Sequence, residues 1–294
     1  NTASGCTGTD AVNISLDNTA PTANAGTDKT LTCTNTSFQI GTAAIAGNTY
    51  SWSPAIGLDN ANIAQPIASA PGIYTLTVTK TSNGCTATDA VTIAQDISAP
   101  TANAGADKLL TCTNTSYLIG TVAIGGNTYS WSPSAGLSNN AIAQPTVSSP
   151  GLYTLTVTKT ANGCTATDDV DISQDISTPL ADAGANVTLS CTNPSLQIGT
   201  LAIAGNTYSW SPSIGLSNPN IAQPNATKTG NYTLTVTQTS NGCTSTDAVN
   251  VTIDSVRPVA NAGLNKLITC TNTTHIIGST AFVGNTYSWS PAFG

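Results

Sequence analysis

The stretch YTLTVT, residues 74–79, alternates side chains that shun water with side chains that accept it. Tyr74, Leu76 and Val78 fall on one face of an extended chain, and Thr75, Thr77 and Thr79 on the other. That period of two marks a half-buried antiparallel strand. Helical spacing is absent from the surrounding sequence. Reading outward, DKTLTC, SFQIGTAA, TYSWSP, NIAQPIA and CTATDAVTI supply further short strands between Gly, Pro and Asn turns, a spacing that suits a two-sheet sandwich. Pro66 and its equivalents belong on an edge strand or at a strand end, because proline cannot donate to a ladder.

YTLTVT returns at residues 153–158 and 232–237, and everything else keeps the same step. Intervals between successive cysteines, from Cys6 to Cys270, alternate 27 and 52 residues, a period of 79. Trp52, Trp131, Trp210 and Trp289 follow it within YSWSP, as do Pro21, Pro100, Pro179 and Pro258. The chain reads as a tandem array. Its phase predicts three complete repeats, 20–98, 99–177 and 178–256. Residues 1–19 are the C-terminal part of a preceding repeat and 257–294 the N-terminal part of a following one, so the chain is expected to be a window on a longer polypeptide.

Composition narrows the function classes. Lys, Arg, Asp and Glu make up 7% of the chain, against about 25% in ordinary soluble proteins. The net charge is −7, with only seven basic residues scattered along the sequence. A nucleic-acid partner needs a clustered cationic surface, and an anionic membrane attracts the same feature. No apolar run approaches the roughly 20 residues of a membrane helix. A sandwich of this size has a limited core and calls for extra stabilisation. Trp52, Trp131 and Trp210 are expected to be buried in it, as sandwiches of the immunoglobulin type bury a strand-C tryptophan. Tyr74, Tyr153 and Tyr232 read as tyrosine corners. The competing reading makes the aromatics an exposed platform for stacking sugars.

Three blocks together, PTANAGTDKTLTC, GNTYSWSP and PGIYTLTVTKTSNGCTATDAVTI, resemble the PKD-like and Ig-like repeats of very large cell-surface adhesins of Bacteroidetes, the group that includes gliding-motility adhesins exported by the type IX system. The resemblance spans the whole chain. It implies an all-β array of Ig-like or PKD-like sandwiches in an exported, extracellular stalk.

Little in the sequence suits catalysis, and the chain is not expected to be an enzyme. The single histidine, His275, aligns with Phe38, Tyr117 and Leu196 and has no counterpart in other repeats. No nucleophile elbow, zinc-protease motif or phosphate loop occurs. Recurring carboxylates are the one candidate for a cofactor. Asp89, Asp168 and Asp247 lie in the last strand of each repeat, and Asp17, Asp96, Asp175 and Asp254 in the linkers. They are calcium candidates, although calcium takes six to eight oxygens and no Asp-x-Asp cluster is present. The alternative is that Asp96 caps a turn and Asp89 bonds to nearby backbone. A third recurring position holds Asp28 and Asp107 but Asn186 and Asn265.

Strictly alternating cysteines in a chain of small cores fit an oxidising compartment. Pairing within a repeat, Cys33–Cys85, Cys112–Cys164 and Cys191–Cys243, is the simplest connectivity. If the units are Ig-like, however, Cys33 ends the first strand at the pole where the chain leaves the repeat. Cys85 begins the last strand at the other pole, roughly 25 Å away, and a disulfide needs Cα atoms within about 7 Å. Head-to-tail stacking instead favours Cys33–Cys164 and Cys112–Cys243, a staple between repeats that leaves Cys6, Cys85, Cys191 and Cys270 to partners outside the window. A linker-spanning pair of the Cys6–Cys33 type is a third option. Function divides in the same way. One reading is a structural stalk whose partners are neighbouring repeats of the same chain, and lateral copies in a fibre. The other is a glycan- or surface-binding module in every repeat.

Overall fold

The computed structural model describes residues 2–291. Every element among them is a β-strand, and the chain falls into two compact units, Asn1–Asp175 and Ile176–Gly294.

In the first unit, β1 (Lys29–Leu31), β2 (Phe38–Gln39), β3 (Asn48–Ser53), β4 (Ile67–Ala68), β5 (Gly72–Lys80) and β6 (Thr86–Gln95) form one sandwich. One sheet has the order β1-β6-β5-β3 and the other pairs β2 with β4. The strands β7 (Lys108–Thr111), β8 (Tyr117–Leu118), β9 (Asn127–Ser132), β10 (Thr146–Val147), β11 (Gly151–Lys159) and β12 (Thr165–Asp175) repeat that arrangement. In the second unit the same topology is built from β13 (Val187–Ser190), β14 (Leu196–Gln197), β15 (Asn206–Ser211), β16 (Asn225–Ala226), β17 (Gly230–Gln238) and β18 (Thr244–Asp254). The chain is thus an all-β array of Ig-like sandwiches. Pro66 immediately precedes β4, at a strand end where its missing N–H costs no ladder bond.

YTLTVT forms the centre of β5, with Tyr74, Leu76 and Val78 buried and the threonines turned outward. They pack with Ala25, Leu31, Ile40, Trp52, Val91 and Ile93. Trp52 is 3% exposed, and its indole N–H donates to the Ile63 carbonyl at 2.9 Å. Its ring lies over Gly41, where φ is +79° and a Cβ would run into the Ala64 carbonyl. Only glycine lets the two chains close over the indole. Trp131 and Trp210 are buried in the same way, so the sugar-platform reading loses these three tryptophans, while Trp289 is half exposed.

The tyrosine corner recurs three times. Tyr74 Oη donates to the Ala70 carbonyl at 3.0 Å and stands 3.2 Å from that of Ile56. Tyr153 lies 2.9 Å from the Ala135 carbonyl and 3.1 Å from that of Ser149. Tyr153→Phe is expected to lower the stability of its sandwich by about 1 kcal/mol, read as a shift in its thermal midpoint. An unchanged midpoint would mean that the phenol does not lock the loop to the strand.

Outside the three sandwiches the described residues form no strand. Val12 and Ile14 stand 79 residues before Val91 and Ile93, which are buried in β6, yet both are exposed. His275 lies in the corresponding region after the third sandwich, with a ring nitrogen 2.7 Å from the Leu267 carbonyl.

Candidate functional site: the junction between repeats

The direction of β1 decides what meets at the junction. It runs parallel to β6, with Leu31 opposite Gln95, so Cys33 emerges at the end from which β6 leads into the next repeat. Cys85 sits before Thr86, ten residues back along β6, about 33 Å away. The within-repeat pair Cys33–Cys85 does not form, for that reason. Cys33 is bonded instead to Cys164, with an S–S distance of 2.00 Å and a Cα–Cα distance of 5.1 Å. Cys112 and Cys243, one period further on, are also disulfide-bonded. With Cys164 already joined to Cys33, Cys112–Cys164 does not form, and Cys191 is in no disulfide, which removes Cys191–Cys243. Cys85 and Cys270 are likewise outside any disulfide, and Cys33 is not joined to Cys6.

A polar clamp surrounds the bond. The turn from Lys159 to Cys164 is closed by the Lys159 N–H to the Cys164 carbonyl and the Gly163 N–H to the Lys159 carbonyl, at 2.9 and 2.8 Å. It presents Asn162, only 2% exposed, to the linker. Asn162 Nδ2 donates to Asp96 Oδ1 and to the Ser98 carbonyl, each at 3.0 Å. Its Oδ1 accepts the Cys164 N–H at 3.0 Å, and its backbone carbonyl accepts the Cys33 N–H at 3.1 Å. Lys159 Nζ lies 3.3 Å from Asp96 Oδ2 and 2.6 Å from Ser98 Oγ. Gly163, with φ +69°, lies so close to Thr34 that a Cβ would collide with its methyl group. One buried asparagine thus ties both sulfur-bearing residues to the linker, Cys164 through its side chain and Cys33 through its backbone carbonyl.

The carboxylates serve this scaffold. Asp96 Oδ1 accepts the Ser98 N–H at 3.1 Å, and Asp17 and Asp254 cap the same turn through Thr19 and Val256, also at 3.1 Å. Asp175 ends β12. Asp89, Asp168 and Asp247 each accept, at 2.8 Å, an amide N–H of the segment leading into their own repeat, from Ala25, Ala104 and Ala183. Asp89 and Asp96 are seven residues apart along an extended chain, about 23 Å, too far for one ion. Among the described residues no three His, Cys, Asp or Glu side chains cluster. The candidates Asp17, Asp89, Asp96, Asp168, Asp247 and Asp254 are therefore dispersed, and each already accepts a backbone N–H. At the third recurring position, Asp28, Asp107 and Asn186 all accept a backbone N–H through Oδ1. Only the oxygen is used, which explains why Asp and Asn interchange.

Hydrogen bonds to Ser98 and Asn162, then the Lys159 ammonium, hold the Asp96 carboxyl well below the usual carboxylate range. Asp17 is lowered to about 2 by the Thr19 amide, Lys80 and Asn83. Asp247 is lowered by the Ala183 and Ala248 amides. A carboxyl whose folded pKa is depressed stabilises the fold above its unfolded pKa of about 3.9, and loses that contribution as pH falls through the folded value. The clamp at Asp17 is thus expected to weaken between about pH 4 and pH 2, and that at Asp96 on stronger acidification. Carboxyl chemical shifts followed by NMR check this. A midpoint for Asp96 near that of free aspartate would show that the clamp does not hold its charge.

Sequence reasoning missed Asn83, Asn162 and Asn241, although each stands two residues before a cysteine at the 79-residue step. In an Asn-rich chain their turn-forming role hid the second one. Asn83 Nδ2 reaches the Thr19 carbonyl at 3.1 Å, and Asn241 Nδ2 the Ser177 carbonyl at 2.9 Å. Lys159 was passed over too. It has Lys80 as a counterpart, 3.2 Å from Asp17, but Gln238 stands at the next step.

No protein-family model matches the chain, and no curated protein matches it. Among solved structures, the I-band fragment I67-I69 from titin is 11% identical with a TM-score of 0.36, over 79% of this chain and 96% of its own. The three N-terminal domains of the bacteriophage RB49 Highly Immunogenic Outer Capsid protein are 14% identical with a TM-score of 0.30, over 74% and 94%. The N-terminal eight Ig domains of Down Syndrome Cell Adhesion Molecule are 10% identical with a TM-score of 0.35, over 79% and 36%.

Proposed function

We propose that this chain is a segment of a structural stalk in an exported, repetitive cell-surface adhesin, its repeats fixed to one another covalently. The observation that carries the reading is the Cys33–Cys164 bond between successive repeats, set in a clamp of side chains that bond to each other. A disulfide at that place constrains the junction, and disulfides persist in oxidising, extracellular settings. The three sequence blocks that resemble Bacteroidetes surface adhesins support the finer assignment to that group, with type IX export and gliding motility as its setting. No helix among the described residues is long and apolar enough to cross a membrane. The role is structural, with no reaction assigned to the chain and no nucleic-acid partner. Neighbouring repeats are the first partner.

Lateral copies in a fibre are a second partner. In the first sandwich the edge strand β3 carries no charge, whereas edge strands that discourage pairing usually carry lysine, as β1 does at Lys29. Repeats of this strand length add roughly 30 to 40 Å each. Solution scattering from the chain is expected to give a rod, and a compact globule would overturn the stalk. Imaging of intact fibres separates a single chain from a bundle by width.

A further inference from the structure

Cys33 and Cys164 are 131 residues apart in sequence and 5.1 Å apart between Cα atoms. A pull transmitted along the chain has two covalent routes between them. The peptide route spans about 430 to 470 Å at full extension, whereas the disulfide route is taut from the start. Tension takes the short one. We propose that the Cys33–Cys164 bond is a force bypass. It carries tension across the junction, so residues 34–111 are never pulled and the unit cannot be lengthened by unfolding what they form; Cys112 is itself in a disulfide, so residues 112–163 are loaded through it. The bypassed residues hold β2 to β6 of the first sandwich and β7 of the second. The mechanics stand on the disulfide alone, and only the use of such a device rests on the stalk reading.

The strands left in the line of force suit that task. Cys164 hands tension to β12, which starts at Thr165 and lies between β7 and β11 in its sheet, and, because Cys112 is itself in a disulfide, back to β11. It is hydrogen-bonded on both sides, in parallel to β7 and antiparallel to β11. On the other side, tension reaches Cys33 through β1, which is pulled along its own axis against β6. Losing β1 frees only the short segment before Cys33. Asn162 bonds to the backbone N–H of both sulfur-bearing residues, through its carbonyl for Cys33 and its side chain for Cys164, and so holds the two attachment points together before tension is applied.

The test is to tether the full 294-residue chain by its ends and stretch it with and without a thiol reductant. The oxidised chain is expected to stop at least about 430 Å short of the reduced one, with the unfolding step of the first sandwich only after reduction. Cys33→Ser, which leaves the disulfide at Cys112 intact, is expected to show that step without reductant, and Cys85→Ser is expected to behave as the unaltered chain. Reduction of already folded protein gives the same readout without relying on the variant to fold. Equal final lengths with and without reductant would overturn the bypass. Scattering keeps the two readings apart: a rod with equal lengths sinks the bypass and leaves the stalk, and a globule with the length difference does the reverse.

Discussion

Replacing Cys33 with serine is expected to cost the two-repeat unit about 5 kcal/mol, the chain-entropy value for a crosslink that closes 131 residues. The loss should fall on the junction before it falls on either sandwich. The cores around Trp52 and Trp131 are separate clusters that share no side chain, whereas the clamp has the disulfide at its centre. Amide exchange is therefore expected to rise first at Cys33 and Cys164, whose N–H groups bond to Asn162. Protection in β5 and β11 should persist to higher temperature. Cys85→Ser is the control, because Cys85 is in no disulfide. If Cys33→Ser melted like the unaltered chain while Cys85→Ser fell, the connectivity described above would be wrong.

Trp131→Ala is expected to destabilise the second sandwich by about 4 kcal/mol, in the range for removing a buried tryptophan. The indole is 1% exposed, its N–H is satisfied by the Ile142 carbonyl at 3.0 Å, and the backbone at Gly120 closes against its ring. Truncation empties a space that the two short sheets cannot collapse to fill, and leaves the Ile142 carbonyl without its donor. Hydrogen exchange should report the change in β9 and β11, with β3 and β5 of the first sandwich keeping most of their protection. The same variant separates the two functions. A sugar-stacking tryptophan would lose glycan binding on truncation with the melting temperature intact. A core tryptophan lowers the melting temperature, and that is the expected result.

The strands and their periodicity were legible because each depends on residues close in sequence. YTLTVT has one way to bury its apolar side chains, and the 79-residue step carries that solution from repeat to repeat. Tyr74 and Trp52 were readable for the same reason, since Pro-Gly before the tyrosine and the flanking YSWSP mark their strands. The acceptor role of Asp89 was legible only in kind. Its donor, the Ala25 amide, lies 64 residues away, and no local pattern names it.

The junction shows where local reading stops. Cysteine spacing left Cys33 three partners in sequence, because spacing carries no direction. The direction of β1 relative to β6 chose among them: a parallel pair brings Cys33 to the far end of β6 and strands Cys85 at the near end, about 33 Å away. Asn162 is the same case at the scale of one side chain. By itself it is a turn residue before Gly-Cys, and only the approach of the Asp96 to Ser98 linker turns its amide into a buried bridge. Sequence by itself determined which segments are strands, which faces are apolar and how often the unit returns. Tertiary structure alone decided what meets across the junction, because that depends on strand order and direction, set by the packing of residues far apart in the chain.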